Sequence, residues 1–479
     1  MNRTAAVAFA LILVSCGPPS PATTSPSPAP SASASAVTLQ ATAFDAARAK
    51  AHVDYLADPA RGGRYSGSAG YLEAATYVAD RFREIGLEPA GDGGTFFQHF
   101  TMPIVDLTAM SVLATGEKTY RPRVDFTESV GGRSGSGSVE AEIAVVGGAA
   151  RSGGQNDFAG ANVRGKIALI TGPGAPGGAS VVESAYQEGA AAVLVIGGAT
   201  LRYSFAPRFQ TATIPTLVIT EDVANELMAP SGKKVSDERA AVQARRSDPA
   251  APPSGFDIPA TVRVSVSLTA VRDVDAINVV GLLRAPDETS GKRAVLVGGH
   301  LDGVGTDPDG SVFQAANDNA SGPAVTIEVA RALTADRPSL IHSVVFVAFA
   351  GEEEGFFGSE AYAAQTATTP GRVESLIAMI NLDVIGCCSD TLLVSNEAPD
   401  LQRKVRDTAT TLGITTQSIG GGGSDQTTFA RRRVPAVFIG MSDFILHVYA
   451  DKPSVVEASR LKKAGDVVTT VARQLANGG

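Results

Sequence analysis

The stretch Val344-Val345-Phe346-Val347-Ala348-Phe349-Ala350-Gly351-Glu352-Glu353-Glu354 decides the fold class of this chain. Its apolar start is typical of a strand that is buried on both faces, as the strands of parallel sheets are. Shorter apolar runs occupy residues 294–297, 376–380 and 436–439, and residues 320–333 show a helical pattern. The alternation of strands and helices predicts an α/β fold, with a mixed, largely parallel sheet flanked by helices in an α/β/α arrangement.

Polar residues follow each of these apolar runs. His300 and Asp302 follow residues 294–297, and Glu352 to Glu354 follow residues 344–349. Asp383 follows residues 376–380, His447 lies beyond residues 436–439, and Asp318 precedes the predicted helix. Sites in such sheets lie at the carboxyl ends of the strands, so we expect these side chains to meet there.

Taken singly, each of these residues has an ordinary structural interpretation. The His300-x-Asp302 pair fits a turn, Asp318 fits a helix N-cap, and the glutamate run fits a solvated charge cluster. Taken together, carboxylates and imidazoles at equivalent strand ends suit a site for two metal ions, and this mixture of ligands suits zinc.

Six short segments carry a resemblance to a known family. They are residues 299–302, 317–322, 351–353, 381–383, 424–425 and 447–451. Through them the chain resembles the M28 metallopeptidases, which are zinc aminopeptidases and their relatives, over about residues 43–98 and 262–476.

The resemblance implies a role for each candidate residue. His300 and Asp383 would hold one zinc ion, Glu353 and His447 would hold a second, and Asp318 would bridge the two. Glu352 would be the general base and Asp302 would orient His300, whereas Glu354 would face away from the metals with no role.

Two positions depart from the family pattern. Gln426 stands where the family often has histidine after Ser-Asp, and Leu446 stands where some members have tyrosine before the last histidine. The resemblance therefore leaves open which protein group stabilises the oxyanion.

An insert separates the two parts of the peptidase-like sequence. Residues 138–229 alternate short β-branched runs with glycine-rich turns, which predicts a small α/β unit. Through residues 162–170 and 188–193, this unit resembles a protease-associated (PA) domain. Such an insert would be non-catalytic and would shape substrate access, so we expect its removal to spare metal binding. For residues 230–259, rich in proline and charge, we predict a surface loop or linker.

The first residues resemble a bacterial lipoprotein signal. Arg3 is followed by a short apolar run that ends in Leu13-Val14-Ser15-Cys16, and an ordinary secretory signal is the alternative. The resemblance implies lipidation of Cys16 and anchoring at the cell envelope, at the outer membrane or the cell surface. In a cell with an outer membrane, that membrane is favoured because Gly17, and not aspartate, follows the cysteine. A tether rich in proline, serine and alanine would follow.

These features predict five segments. They are a signal peptide at residues 1–15, a tether at 16–37, a first peptidase part at 38–135, an inserted PA domain with linker at 136–260, and a second peptidase part carrying the metal site at 261–479. The two remaining cysteines, Cys387 and Cys388, are adjacent, and we expect them to be free or buried because a disulfide between neighbours needs a strained ring.

Composition removes several other functions. The net charge is −9 without a dense basic cluster, which argues against nucleic-acid binding. Neither H-E-x-x-H nor G-x-S-x-G occurs, which argues against zincins and α/β-hydrolases. The M28 resemblance implies a di-zinc aminopeptidase acting on peptides with a free N-terminus. The alternatives are a dipeptidase or carboxypeptidase with the same metal centre, a glutaminyl cyclase and, less favoured, a receptor-like binding protein.

Overall fold

A computed structural model describes residues 44–150, 156–172, 180–198, 200–248, 250–365 and 370–479. The predicted signal peptide, Cys16 and the tether lie outside the described residues, so these expectations stay predictions. Among the described residues, no helix is long and apolar enough to cross a membrane.

Two nine-stranded sheets organise the described chain. Sheet I contains β1 (Glu88–Pro89), β2 (Phe97–Ile104), β12 (Arg272–Leu283), β13 (Ala294–His300), β14 (Ser343–Phe349), β15 (Leu376–Leu382), β16 (Leu392–Ser395), β17 (Thr416–Ile419) and β18 (Ala436–Met441). Sheet II contains β3 (Val112–Thr115), β4 (Lys118–Thr119), β5 (Phe126–Ser134), β6 (Gly137–Val146), β7 (Ile167–Ile170), β8 (Ala192–Ile196), β9 (Ser204–Ile214), β10 (Thr216–Ile219) and β11 (Phe256–Val266).

The centre of sheet I is parallel, in the order β14-β13-β15-β18. Antiparallel strands flank this centre, because β12 pairs with β14 on one side and β16 pairs with β18 on the other. The predicted mixed, largely parallel sheet is therefore confirmed, and the four predicted strand cores lie in β13, β14, β15 and β18.

Helices cover both faces of sheet I. Because successive side chains of a strand point to opposite faces, each central strand contributes to a core on either side. Val344, Phe346 and Ala348 of β14 pack into the larger core, whereas Val345, Val347 and Phe349 belong to the core on the other face. The helices of the chain are α1 (Ala46–Leu56), α2 (Ala69–Ile85), α3 (Val181–Gln187), α4 (Glu221–Met228), α5 (Val235–Ser247), α6 (Ser321–Thr334), α7 (Phe357–Ala364), α8 (Pro399–Thr411), α9 (Gln426–Arg431) and α10 (Ala458–Ala476). The larger core takes side chains from α1, α2, α6, α8 and α10, and the other core takes them from α7 and α9.

The apolar spacing of residues 71–85, with Leu72 on the apolar face, predicts a helix that Gly86 ends. The helix is present as α2, but Leu72 was assigned to its buried face wrongly. Leu72 is 49% exposed, whereas Tyr71 is buried and its hydroxyl donates a hydrogen bond to the Ile277 carbonyl at 2.7 Å. The apolar stripe of α2 therefore begins at Tyr71. Gly86 ends the helix with a φ of 85°, the left-handed conformation that glycine adopts without strain.

The predicted loop at residues 230–259 is wrong over most of its length. Residues Val235–Ser247 form α5, and β11 begins at Phe256. Helix α5 buries the side chains of Val235 and Val242. The sequence pattern did not indicate this helix, because charged residues surround these two apolar positions. The predicted limits of the insert, 136–260, stay a prediction, while sheet II itself draws on strands from Val112 to Val266.

Candidate metal centre

The carboxyl edge of the parallel centre of sheet I gathers the predicted site residues. His300 is the last residue of β13, Glu352 and Glu353 follow β14, and Asp383 directly follows β15. Asp318 lies just before α6, and His447 lies in the loop after β18. The structure thus brings together residues that are up to 147 positions apart in the sequence, as the difference between 300 and 447 shows.

Asp318 occupies the middle of the cluster. Its Oδ1 lies 3.4 Å from His300 Nε2, and its Oδ2 lies 3.1 Å from His447 Nε2. On one side His300 Nε2 also lies 3.2 Å from Asp383 Oδ1, and on the other His447 Nε2 lies 2.8 Å from Glu353 Oε2. Two groups of donor atoms share Asp318, namely His300–Asp318–Asp383 and Asp318–Glu353–His447, each with all its atoms within 4.8 Å. A third group of the same size, His300–Glu352–Glu353, does not include Asp318.

Asp318 is not the cap of the following helix. Helix α6 begins at Ser321, and the neighbouring Asn319 side chain accepts a hydrogen bond from the Gly322 N–H at 2.7 Å. The carboxylate of Asp318 is left to face the two histidines. A cis peptide bond joins Asp318 to Asn319.

Two buried residues, which sequence reasoning did not single out for a role, hold the backbone of the cluster. Asp451 accepts hydrogen bonds from the N–H groups of Asn317 and Asp318 at 2.7 and 2.9 Å. Arg64 is fully buried and donates to four carbonyls, those of Leu56, Leu301, Gln314 and Ala315, at 2.7 to 3.0 Å. Arg64 thus ties the segment that contains Asp302 to the segment that leads into Asp318.

Asp302 and Glu354 are both buried beside the cluster. Asp302 Oδ1 lies 3.7 Å from His300 Nδ1, beyond hydrogen-bond distance, and its Oδ2 accepts the Glu353 N–H at 3.1 Å. Glu354 does turn away from the metal-ligand candidates, towards the Ser66 hydroxyl at 3.3 Å, but it is only 1% exposed. The solvated charge run that the sequence allowed is therefore wrong for Glu354.

The electrostatics of the cluster are those of crowded, buried carboxylates. Burial raises the pKa of Glu352 well above its usual range, and the neighbouring Glu353 and Asp383 carboxylates raise it further. Burial lowers the pKa of His300, but the Asp383 and Glu352 carboxylates outweigh it and raise that pKa well above 6.5. Burial likewise raises the pKa of Asp425, which lies in the matched 424–425 segment, to about 7. Positive charge brought into this site would offset the repulsion.

The residues present fit zinc. Within the described residues, no hydrogen-bond partner reaches the buried Oε1 of Glu353 or the buried Nδ1 of His300. Mixed carboxylate and imidazole donors, three to a group, are a ligand set typical of catalytic zinc, which keeps one position open for water or substrate.

The remaining three histidines are engaged elsewhere. His52 contacts the Tyr77 hydroxyl at 2.7 Å, His99 contacts Asp275 at 2.9 Å and His342 contacts the Ser290 carbonyl at 3.0 Å. The two departures from the family pattern lie close to the cluster. Gln426 is buried and accepts a hydrogen bond from Asn381 at 3.2 Å, and Leu446 precedes His447 in a half-buried loop.

The expectation for the adjacent cysteines is wrong. Cys387 and Cys388 form a disulfide, although Cys387 is buried as expected. Cys388 has a φ of 72°, a left-handed backbone conformation that is uncommon outside glycine. The pair lies in the segment after Asp383, where the Gly386 N–H donates to Asn317 Oδ1 at 2.6 Å.

Part of the chain matches the sequence model of a known protein family. The sequence model of peptidase family M28 aligns with the part of the chain that holds every residue of the two donor groups. Residues 278–472 match peptidase family M28. Arg64 and the strands β3 to β11 lie outside the M28 segment.

Relatives described as probable zinc metalloproteases match about a quarter of the chain. A probable zinc metalloprotease of Pyrenophora teres f. teres is 37% identical over 115 residues, covering 24% of this chain and 23% of the relative. One of Pyricularia oryzae is 39% identical over 112 residues, covering 23% of this chain and 21% of the relative. The aligned parts thus span less than a quarter of those relatives' own length.

The similarity of fold extends over most of the chain. An aminopeptidase from Aneurinibacillus sp. strain AM-1 superposes with a TM-score of 0.67 at 22% identity, covering 91% of this chain and 95% of that one. A zinc aminopeptidase from Bacillus subtilis gives a TM-score of 0.64 at 20% identity, covering 91% and 96%. These structures share the α/β architecture of the M28 segment and its surroundings.

Proposed function

We propose that this chain is a zinc-dependent peptide hydrolase, an aminopeptidase that uses two zinc ions. The observation that carries the proposal is the pair of donor groups that share Asp318 at the carboxyl edge of sheet I. The M28 match, the zinc metalloprotease relatives and the aminopeptidase-like fold support a peptide hydrolase. The proposed ligands are His300 and Asp383 for one ion and Glu353 and His447 for the other, with Asp318 between them.

Bound zinc supplies a water molecule of lowered pKa and polarises the scissile carbonyl. The protein's own part in the chemistry falls to Glu352. Glu352 lies within 4.8 Å of donor atoms of His300 and Glu353, and it is more exposed than Glu354. Its carboxylate would take the proton of the attacking water and return it to the leaving amine.

Asp302 has a positioning part in this proposal. Its buried carboxylate lies between the ring of His300 and the backbone N–H of Glu353, so it faces one proposed ligand of each zinc ion. A tightening of its 3.7 Å approach to His300 Nδ1 on metal binding would give the imidazole the carboxylate partner that metal-bound histidines usually have.

Chelation and a substrate panel test this function. We expect a metal chelator to abolish hydrolysis of short peptides with a free N-terminus, because it removes the ions that would lower the pKa of the attacking water. Added zinc should restore hydrolysis. N-acetylated versions of the same peptides serve as the matched controls and should stay intact. Cleavage of the acetylated peptides from their C-termini would favour a carboxypeptidase, and cyclisation of N-terminal glutamine would favour a glutaminyl cyclase.

We also propose that the chain is exported and anchored at the cell envelope by lipid on Cys16. The support is the run that ends in Leu13-Val14-Ser15-Cys16 after a basic residue. We expect the native protein to partition into detergent, because the CH₂ groups of the acyl chains on Cys16 would insert into the detergent micelles. Cys16→Ser should move it to the aqueous phase or block processing. A wild-type protein that stays fully in the aqueous phase would contradict the anchor.

A further inference from the structure

His447 donates its second hydrogen bond to the residue that precedes β9 of sheet II, and not to the sheet that carries the candidate metal centre. Its Nε2 faces Asp318 and Glu353, while its Nδ1 lies 2.7 Å from the backbone carbonyl oxygen of Tyr203. A carbonyl only accepts, so Nδ1 carries the proton and Nε2 is left free to bind a metal. Hydrogen bonds of this kind fix the tautomer and the ring orientation of metal-binding histidines.

Tyr203 is itself held firmly. It directly precedes β9, its side chain is 6% exposed, and its ring stacks on Phe313 with centroids 5.8 Å apart. The guanidinium of Arg123, also from the sheet II side of the chain, lies 4.5 Å above the same ring.

Arg123 links these residues to the loop of His447. Its Nε and Nη2 donate to both oxygens of Asp307 at 2.8 and 2.6 Å, and its Nη1 donates to Thr127 at 2.6 Å and to Glu128. Asp307 also accepts the hydroxyl of Tyr449, two residues after His447. The side chains of Arg123, Glu128 and Asp307 are 6%, 0% and 3% exposed, so this cluster of charges is buried.

We propose that the sheet II side of the chain, through Arg123 and the Tyr203 carbonyl, positions His447 and thereby sets the zinc affinity of the Asp318–Glu353–His447 group. This rests on the proposed function, in which that group binds zinc. The other group does not share the dependence, because His300 ends β13 and its neighbours Asp302 and Asp383 also belong to the sheet I part. Arg123 is a positioning residue here, since it acts through Tyr203 and Asp307 and touches no ligand atom.

The chain offers a matched control for Arg123. Arg133 makes a comparable double contact with Glu183, at 2.8 and 3.2 Å, and its guanidinium lies 4.0 Å above the ring of Tyr186. Arg133 lies on β5 and Glu183 lies on α3, so this ion pair joins two elements on the sheet II side of the chain.

The test compares zinc binding in full-length Arg123→Met and Arg133→Met by elemental analysis and by competition with a chromophoric chelator. We expect wild type and Arg133→Met to hold two ions. Arg123→Met should hold one ion as tightly as wild type and the second about 10- to 100-fold more weakly, the usual cost of losing such outer support. Excess zinc should then restore turnover in Arg123→Met.

A second variant keeps the proposal testable if Arg123→Met does not fold. Tyr203→Leu removes the ring that Arg123 and Phe313 hold, and Tyr186→Leu is its control. Zinc affinities unchanged from wild type for both ions, in a folded Arg123→Met or Tyr203→Leu, would overturn the proposal. An equal loss of affinity for both ions would also overturn it. A wild-type protein that binds fewer than two ions would overturn the proposed function and this inference together.

Discussion

Replacing Glu352 by glutamine will leave two zinc ions in the protein and lower turnover by ~10²–10⁴-fold, the usual range for loss of a general base. Glutamine keeps the shape of the side chain but cannot take a proton. The five proposed ligands do not include Glu352, so metal content should not change. Elemental analysis beside the turnover rate measures both quantities in one preparation.

The neighbouring glutamates are the matched controls for this result. Glu353→Gln should lower zinc content as well as turnover, because Glu353 Oε2 is 2.8 Å from His447 Nε2 within a donor group. Glu354→Gln should change neither much, because the Glu354 side chain turns away from the proposed ligands, towards the Ser66 hydroxyl at 3.3 Å. Full zinc content in Glu353→Gln with loss of zinc in Glu352→Gln would reverse the two assignments.

Replacing Arg64 by methionine should lower the free energy of unfolding by about 3–5 kcal/mol. The change leaves up to four buried carbonyl oxygens without their donor, at about 1–3 kcal/mol for each one that stays unpaired. Burial lowers the pKa of Arg64 to about 10, so the guanidinium stays charged at neutral pH and also faces the carboxylates of Asp451 and Asp302. Denaturant unfolding of the zinc-free and zinc-loaded protein measures the effect.

The control for Arg64 is Arg83→Met. Arg83 is 64% exposed and pairs with Asp80 on the surface of α2, so its loss should cost well under 1 kcal/mol. Arg64→Lys should fall between the two, since an ammonium has three donors and no planar fork. If Arg64→Met unfolds at the same denaturant concentration as Arg83→Met, the four hydrogen bonds do not carry the stability assigned to them.

The centre of sheet I and the members of the candidate site could be predicted from the sequence because both leave local signals. Apolar runs such as residues 344–349 mark strands buried on both faces, and polar residues directly after them mark the functional edge. The five proposed ligands converge in the structure for that reason. Their roles as zinc ligands stay predictions.

What the sequence did not predict depends on backbone atoms and on context. The Tyr203 carbonyl lies 244 positions from His447, and a backbone acceptor has no sequence signal. Arg64 reads as a surface residue of a glycine-rich turn, yet it is among the largest fully buried side chains. A disulfide between Cys387 and Cys388 was not expected because it needs a strained ring, and the sequence does not show the local backbone conformation.

The hydrogen bond from His447 to the Tyr203 carbonyl also limits how the insert can be exchanged between relatives. Under the proposal made for Arg123 and Tyr203, a chimera would exchange a residue that positions a proposed zinc ligand, and the expectation that removal of the insert spares metal binding would be wrong for the Asp318–Glu353–His447 group. The junctions at residues 138 and 229 enclose Tyr203 but leave Arg123 and Asp307 with the host chain. A graft would therefore have to preserve the path of the backbone before β9 and an aromatic ring beneath Arg123, or, under the same proposal, the second zinc ion would bind more weakly.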